Sequence, residues 1–258
     1  GTYHIFYHGI PMDAPQAINA ETIFRSSSED LIHWSDPVAV LTTSDAPWES
    51  NAIWAPDVVH DPSTGRWWMA YTAVDDQRNQ RIAMAWSEDL LNWQKVPRNP
   101  VYEPDPAFFF YDTDSGGAEC RDPFLYQRDG LWHLVVTAKL RGTFGGQGAL
   151  VQATSSDLIR WSRGEPLLAN DGETPYNSLE SGQYLEMPDG ADHVFFHEHS
   201  TIGISHIGAF DPADWTLDDR IVLDLGIAPE IDSFDGGQTH LFSRIAPYQE
   251  PQETALSY

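Results

Sequence analysis

Short runs of alternating apolar and polar residues, each opened by a glycine, set the rhythm of the chain. Gly1-TYHIFYHG, Gly65-RWWMAYTA, Gly130-LWHLVVTA and, with weaker alternation, Gly190-ADHVFFHEH recur at intervals of about 60–65 residues. A period of two, rich in β-branched and aromatic residues, predicts a strand in each. The first three runs are followed by a second shared element, Arg25-SSSEDLIHW, Ala85-WSEDLLNW and Ala153-TSSDLIRW. Its Ser-x-Asp-Leu core predicts a strand running into a tight turn, where Ser and Asp bond the local backbone and Trp34, Trp93 or Trp161 anchors the returning chain. A fifth unit is expected to start at Asp235-GGQTHLFSR.

Four strands fit within each interval, no stretch of 12 or more residues keeps a 3.6-residue period, and Pro and Gly punctuate throughout. The expected fold is therefore all-β, a five-bladed β-propeller forming a single domain over residues 1–258.

Composition narrows the partners. With 14 basic against 39 acidic side chains the formal charge is −25, so a polyanion is repelled and no nucleic-acid partner is expected. No apolar run reaches the roughly 18 residues of a membrane-spanning helix, so no membrane partner is expected either. The single Cys120 excludes an intramolecular disulfide and a cysteine-based zinc site. Aromatic residues make up 12% of the chain, a bias that suits both β-structure and sugar stacking.

Carboxylates recur upstream of the turn glycines: Asp57 eight residues before Gly65, Asp122 eight before Gly130, and Glu180 ten before Gly190. If these lie on the innermost strands of successive blades, their acids converge on one axis, where each raises the pKa of the next. Glycoside hydrolysis needs such a pair, one donating a proton and the other acting as nucleophile or base. An isolated Asp beside Pro or Gly is ordinarily a solvated turn residue, and Glu186 competes with Glu180. Arg121 is placed to clamp a carboxylate or a sugar hydroxyl, with a structural ion pair as the plainer role.

These segments resemble a known group of enzymes. Glu119-CRDPFLYQRDG is similar to the Arg-Asp-Pro motif of glycoside hydrolase family 32, the invertases, inulinases and levanases. Leu179-ESGQYLEMPDGADHVFF resembles that family's Glu-Cys-Pro-Asp segment, and YHIFYHG, Asn99-Pro100-Val101 and Gly148-ALVQATSSDLIRW add to the likeness. Family 43, the arabinanases and β-xylosidases, competes through Ile53-WAPDVVHDPSTGRWWMAYTA. The resemblance implies Glu180 as general acid/base and Asp122 as the group that stabilises the oxocarbenium-like transition state or tunes the acid. Because both precede a repeat turn by nearly the same count, the two are expected to face each other across the channel mouth. The resemblance also implies a third carboxylate on the first inner strand, for which no segment here matches; Asp13 follows the first strand and is not promoted. Ser181-Gly182 stands where the family has Cys-Pro, so an altered surface beside the acid is expected.

Trp54, with Asp57, Arg121, Gln238 and His240, is expected to contact substrate, His240 by reaching the channel from the fifth repeat. Trp48, Trp67 and Trp68 crowd the second repeat with Trp54, and core packing is the plainer role for each ahead of sugar stacking. His60, His197, His199, His206 and His240 are too scattered for a metal set, so neither metal nor cofactor is expected. Phe108 to Tyr111 forms an apolar run that suits a buried loop or a pocket rim. The function expected is cleavage of a furanoside-type linkage, fructan, sucrose-like or arabinose-containing, with a carbohydrate as partner. The alternative is a carbohydrate-binding propeller that lacks the nucleophile. Counting back from Gly1 by the same offset puts the first inner acid ahead of the sequence, so incomplete first and last blades are expected, with a seam between those holding Tyr3 and Thr239.

Overall fold

A strand that buries one face repeats its apolar residues every second position, and one covered on both faces becomes apolar throughout. Both patterns are present. The structure, a computed structural model, describes residues 1–9, 20–141, 147–170, 178–198, 203–209, 211–224, 226–234, 239–245 and 254–257.

The chain divides into two compact units. The first, residues 1–103, 111–132 and 155–162, opens with an antiparallel sheet of β1 (Tyr3–Gly9), β2 (Thr22–Ser28) and β3 (Val38–Thr42). A second sheet follows in the order β4 (Ala52–Asp61), β5 (Arg66–Val74), β6 (Gln80–Ser87) and β7 (Gln94–Lys95). Strand β8 (Cys120–Arg128) packs beside β4 and β5. The second unit, residues 104–110, 133–154 and 163–258, carries β9 (Leu131–Leu140), β10 (Gln147–Ser155) and β11 (Glu165–Ala169). It continues with a sheet of β12 (Leu179–Glu186), β13 (Asp192–Glu198), β14 (Gly203–Ala209) and β15 (Ile221–Asp224). Its last sheet is β16 (Ile227–Phe234), β17 (Thr239–Ile245) and β18 (Thr254–Ser257).

Among the described residues there are five sheets of consecutive strands, three in the first and last and four in each of the others. That is the blade pattern of a β-propeller. The repeat identified in the sequence corresponds to the second strands β5, β9, β13 and β17, and to β1. The last blade differs from expectation: it opens at Ile227, before Asp235, on a strand interrupted by Pro229. Proline and the polar Glu230 and Asp232 hide its alternation.

Within the first unit, Ile23, Leu41, Ile53, Met69, Tyr71, Ala73, Ala83 and Ala85 are buried together, with Phe6, Trp48, Val58 and Trp93 against them. Trp48 is thus a core residue, as is Trp68. A charged cluster is embedded beside this core. The Glu49 carboxylate is wholly buried and accepts hydrogen bonds from Tyr71 Oη at 3.0 Å, from Ser44 Oγ and from Lys95 Nζ. Burial and the adjacent carboxylate push the Tyr71 hydroxyl well above its ordinary pKa, so it stays protonated as a donor.

The Ser-x-Asp-Leu turns repeat in atomic detail. Ser28, Ser87 and Ser155 accept the N–H of Asp30, Asp89 and Asp157 through Oγ. Each Asp then accepts two backbone N–H groups further on, those of Ile32 and His33, Leu91 and Asn92, and Ile159 and Arg160. These bonds hold Leu31, Leu90 and Leu158 in the left-handed region, φ 63°, 64° and 60°, a conformation that costs a non-glycine residue about 1–2 kcal/mol. The tryptophan anchor is not uniform: Trp93 packs edge-on to Phe6 at 5.8 Å, whereas Trp34 is 36% exposed.

The corner at Asp157 and the buried cluster at Glu49 each contribute measurable stability. Hydrogen bonds lower the Asp157 pKa below 3.8 despite the desolvation that opposes them. A lowered folded-state pKa contributes stability that is complete above the unfolded value and fades as pH falls through the folded one. Asp157→Ala therefore lowers the melting temperature by about 2–4 °C at neutral pH, and the difference from the unaltered chain shrinks in an acid series run below pH 3.8. Lys95→Met leaves Glu49 buried without its cation, at a cost of about 3 kcal/mol in urea unfolding.

Candidate active site

The first strand of four sheets breaks at the same structural point. Ala55, Asp122, Ser181 and Ala228 have φ of 43°, 54°, 52° and 51°, and the next residue is Pro56, Pro123, Gly182 or Pro229. In β4, β12 and β16 the pairing register shifts there, between Trp54 and Asp57, Glu180 and Gln183, and Ile227 and Glu230. These are β-bulges, at which proline is tolerated because the ladder bond is already lost.

The bulges correct the equivalence suggested by counting from the turns. Asp122 is itself the left-handed residue, Glu180 precedes it, and Asp57 lies two residues beyond it. Trp54 and Arg121 occupy the position that Glu180 holds in β12. The offset from the glycine misleads because the stretch between bulge and turn differs in length from sheet to sheet.

In the first unit, Asp122 is mostly enclosed, its side chain 18% exposed. Its backbone N–H donates to Thr72 Oγ1 at 3.0 Å. Arg121 donates through Nη1 to Glu119 Oε2 at 2.8 Å and to Gln80 Oε1 at 3.2 Å, and its Nε lies 3.9 Å from Asp122 Oδ2. Its guanidinium is thus held by protein groups, contacts that suit the structural ion pair as well as the carboxylate clamp. Asp57 accepts the Leu125 N–H through Oδ2 at 2.6 Å, which commits one of its oxygens to the strand beside it. Trp54 is half-buried on β4. Cys120 is buried, and desolvation pushes its thiol well above the ordinary range, which leaves it unsuited to act as a nucleophile at neutral pH.

In the second unit, Glu180 has a side chain 22% exposed. Ser178 Oγ donates to its Oε1 at 2.6 Å, and His197 Nδ1 lies 3.6 Å from its Oε2. His197 reaches it because the two residues are cross-strand partners in β12 and β13. Gly182 follows the bulge at a close approach: a Cβ there would stand 2.8 Å from Leu150 and 3.2 Å from Val135. The glycine that replaces the family's proline therefore answers to packing against these two side chains.

Gln238, Asp13 and His199 lie outside the described residues, and the same is true of the His240 side chain, whose backbone belongs to β17. His60 lies tilted against Trp67 with ring centroids 4.6 Å apart, and His206 stacks on His193 at 4.8 Å. Phe109 is buried while Phe108 and Phe110 are 50% and 46% exposed, so the aromatic run is split between core and surface. Sequence reasoning passed over Ser178, Glu119 and Thr72, and weighed His197 only as a metal ligand. The signal for His197 and Thr72 was available: each is seven residues past its turn glycine, as are His8 and Thr137.

Comparison with known proteins identifies the class. The chain superposes on fructan 1-exohydrolase IIa from Cichorium intybus with a TM-score of 0.75, at 17% identity over 96% of this chain and 49% of that one. It superposes on an endo-arabinase from Bacteroides thetaiotaomicron with a TM-score of 0.72, at 16% identity over 93% of this chain and 86% of that one. Both likenesses concern the fold. Residues 1–217 match the model of the glycosyl hydrolases family 32 N-terminal domain, and the chain belongs to that family. An insoluble β-fructofuranosidase isoenzyme of Arabidopsis thaliana is 28% identical over 232 residues, 79% of this chain and 37% of that protein. The chain spans about two-fifths or less of the curated relatives it matches first.

The packing at Gly182 yields a prediction. Leu150 is fully buried and has little room to retreat, so Gly182→Ala destabilises the protein by about 1–3 kcal/mol. Thermal unfolding measures it, and an unchanged melting temperature would mean that Leu150 gives way.

Proposed function

We propose that this chain carries the acid/base machinery of a glycoside hydrolase that cleaves a fructofuranoside linkage. The observation that carries the reading is Glu180, held at its bulge between Ser178 and His197, in a segment within the family match. An acid catalyst needs a carboxyl that holds a proton at the start of the reaction, and the resemblance to the family gives Glu180 that part. Glu180 gives its proton to the glycosidic oxygen as the bond to the fructosyl carbon breaks. Asp122, beside Arg121, stabilises the positive charge that develops on the sugar ring. The nucleophile that the family's chemistry requires is assigned to no described residue.

Fructose is favoured over arabinose because the family match and the Arabidopsis relative, named a β-fructofuranosidase, point the same way.

The test is release of fructose from fructose-terminated oligosaccharides, set beside release of arabinose from aryl arabinofuranosides. Glu180→Gln is expected to lower turnover by about 10²–10⁴-fold. Full activity in that variant would remove Glu180 from the mechanism. Binding of the same sugars without any cleavage would support a carbohydrate-binding propeller instead.

A further inference from the structure

Bending out of a ladder leaves a backbone N–H without its strand partner, and a buried N–H is paired in nearly all folded proteins. At two of the bulges a side chain from the preceding sheet supplies the acceptor. His8 Nδ1 accepts the Ala55 N–H at 3.0 Å, and Thr72 Oγ1 accepts the Asp122 N–H at 3.0 Å. The two acceptors are repeat equivalents, each seven residues past its turn glycine and each directed at the left-handed residue of the next first strand. Because an N–H can only donate, His8 Nδ1 carries a lone pair there and a neutral ring carries its proton on Nε2. The device is not general: Thr137, at the same repeat position, has a buried hydroxyl with no hydrogen-bond partner among the described residues, and His197 lies against Glu180 of its own sheet.

At Asp122 the arrangement has a second part. Three residues on, the Leu125 N–H is accepted by Asp57 Oδ2 at 2.6 Å. The irregular stretch from Asp122 to Leu125 is thus fastened at both ends by acceptors from β4 and β5, Thr72 being fully buried. The left-handed backbone sets the direction in which the Asp122 side chain leaves the strand, so whatever fixes that backbone also fixes the carboxylate.

We propose that Thr72 and Asp57 are positioning residues for Asp122, Thr72 by holding its N–H and Asp57 by holding the strand just beyond. The kinetic consequence rests on the role given to Asp122 above. The clamp itself rests only on the two hydrogen bonds. This gives Asp57 a task distinct from touching substrate, and it makes Thr72, a buried residue of the neighbouring strand, a determinant of turnover.

Thr72→Val keeps the shape of the side chain and removes the acceptor, while Thr72→Ser retains the oxygen. In the full chain, amide hydrogen exchange resolved by residue should quicken at Asp122 by about tenfold or more in Thr72→Val, with the amides of β13 unchanged. Turnover should fall by about ten- to a hundredfold with KM nearly constant, and Thr72→Ser should recover both. A folded Thr72→Val with unaltered exchange at Asp122 overturns the clamp. Faster exchange with full kcat overturns the positioning role. If the unaltered chain has no turnover, the functional reading fails while the exchange measurement still decides the clamp. Should Thr72→Val not fold, Asp57→Leu probes the other end, with quicker exchange at Leu125 expected and an unchanged rate there overturning the proposal.

Discussion

A backbone N–H that leaves its ladder must be given another acceptor, and this requirement shapes the first strands on which the acidic residues stand. Regular strands could not turn Asp122 or Glu180 out of the two-residue alternation. A bulge can, and it does so by placing one non-glycine residue in the left-handed region and by giving up a ladder bond. Such a bend holds its shape only where neighbouring side chains replace what was lost. His8 and Thr72 do this for the bulges of β4 and β8. Chemistry at the first strands and packing between neighbouring sheets are therefore two aspects of one arrangement.

The distribution of positive charge follows a similar economy. With only 14 cationic side chains against 39 acids, several cations serve more than one acceptor. Arg81 reaches Asp75 at 2.9 Å and Glu103 at 2.7 Å, and Arg121 joins Glu119 and Gln80. Arg220 meets the buried Glu198 at 2.8 Å, and Lys95 serves both Glu49 and the Thr42 carbonyl. At Glu49 and Glu198 the cation meets an acid enclosed by protein, where an unpaired charge would cost most.

The repeat was legible in the sequence because its markers are short-range: a turn glycine, an alternating run and the Ser-x-Asp-Leu corner each declare themselves within ten residues. The resemblance to family 32 likewise lay in contiguous segments. What escaped was set by contacts between strands distant in sequence. Asp57 and Asp122 look equivalent when counted from Gly65 and Gly130, yet they fall at different points of their bulges, whose true marker is the left-handed residue followed by Pro or Gly. The pairing of His197 with Glu180 depends on the register of β12 against β13, which no local pattern prints. Strand β16 has Pro229 and the polar Glu230 and Asp232 breaking its alternation, yet Ile227-Ala228-Pro229-Glu230 parallels Trp54-Ala55-Pro56-Asp57 in the second sheet.

The corner turns have a consequence for how the chain reaches its folded state. The Ser and Asp side-chain bonds that shape them join residues two or three positions apart, so none of these needs a distant strand to be in place. Closing a ten-residue loop takes about 10–100 ns, and these loops are shorter still. The corners after Ser28, Ser87 and Ser155 can take shape while the chain is otherwise open, each reversing its direction in advance. The slow part of folding then falls to the long-range contacts, above all the seating of β8 against β4 and β5, where Asp57 meets Leu125 across 68 residues of sequence.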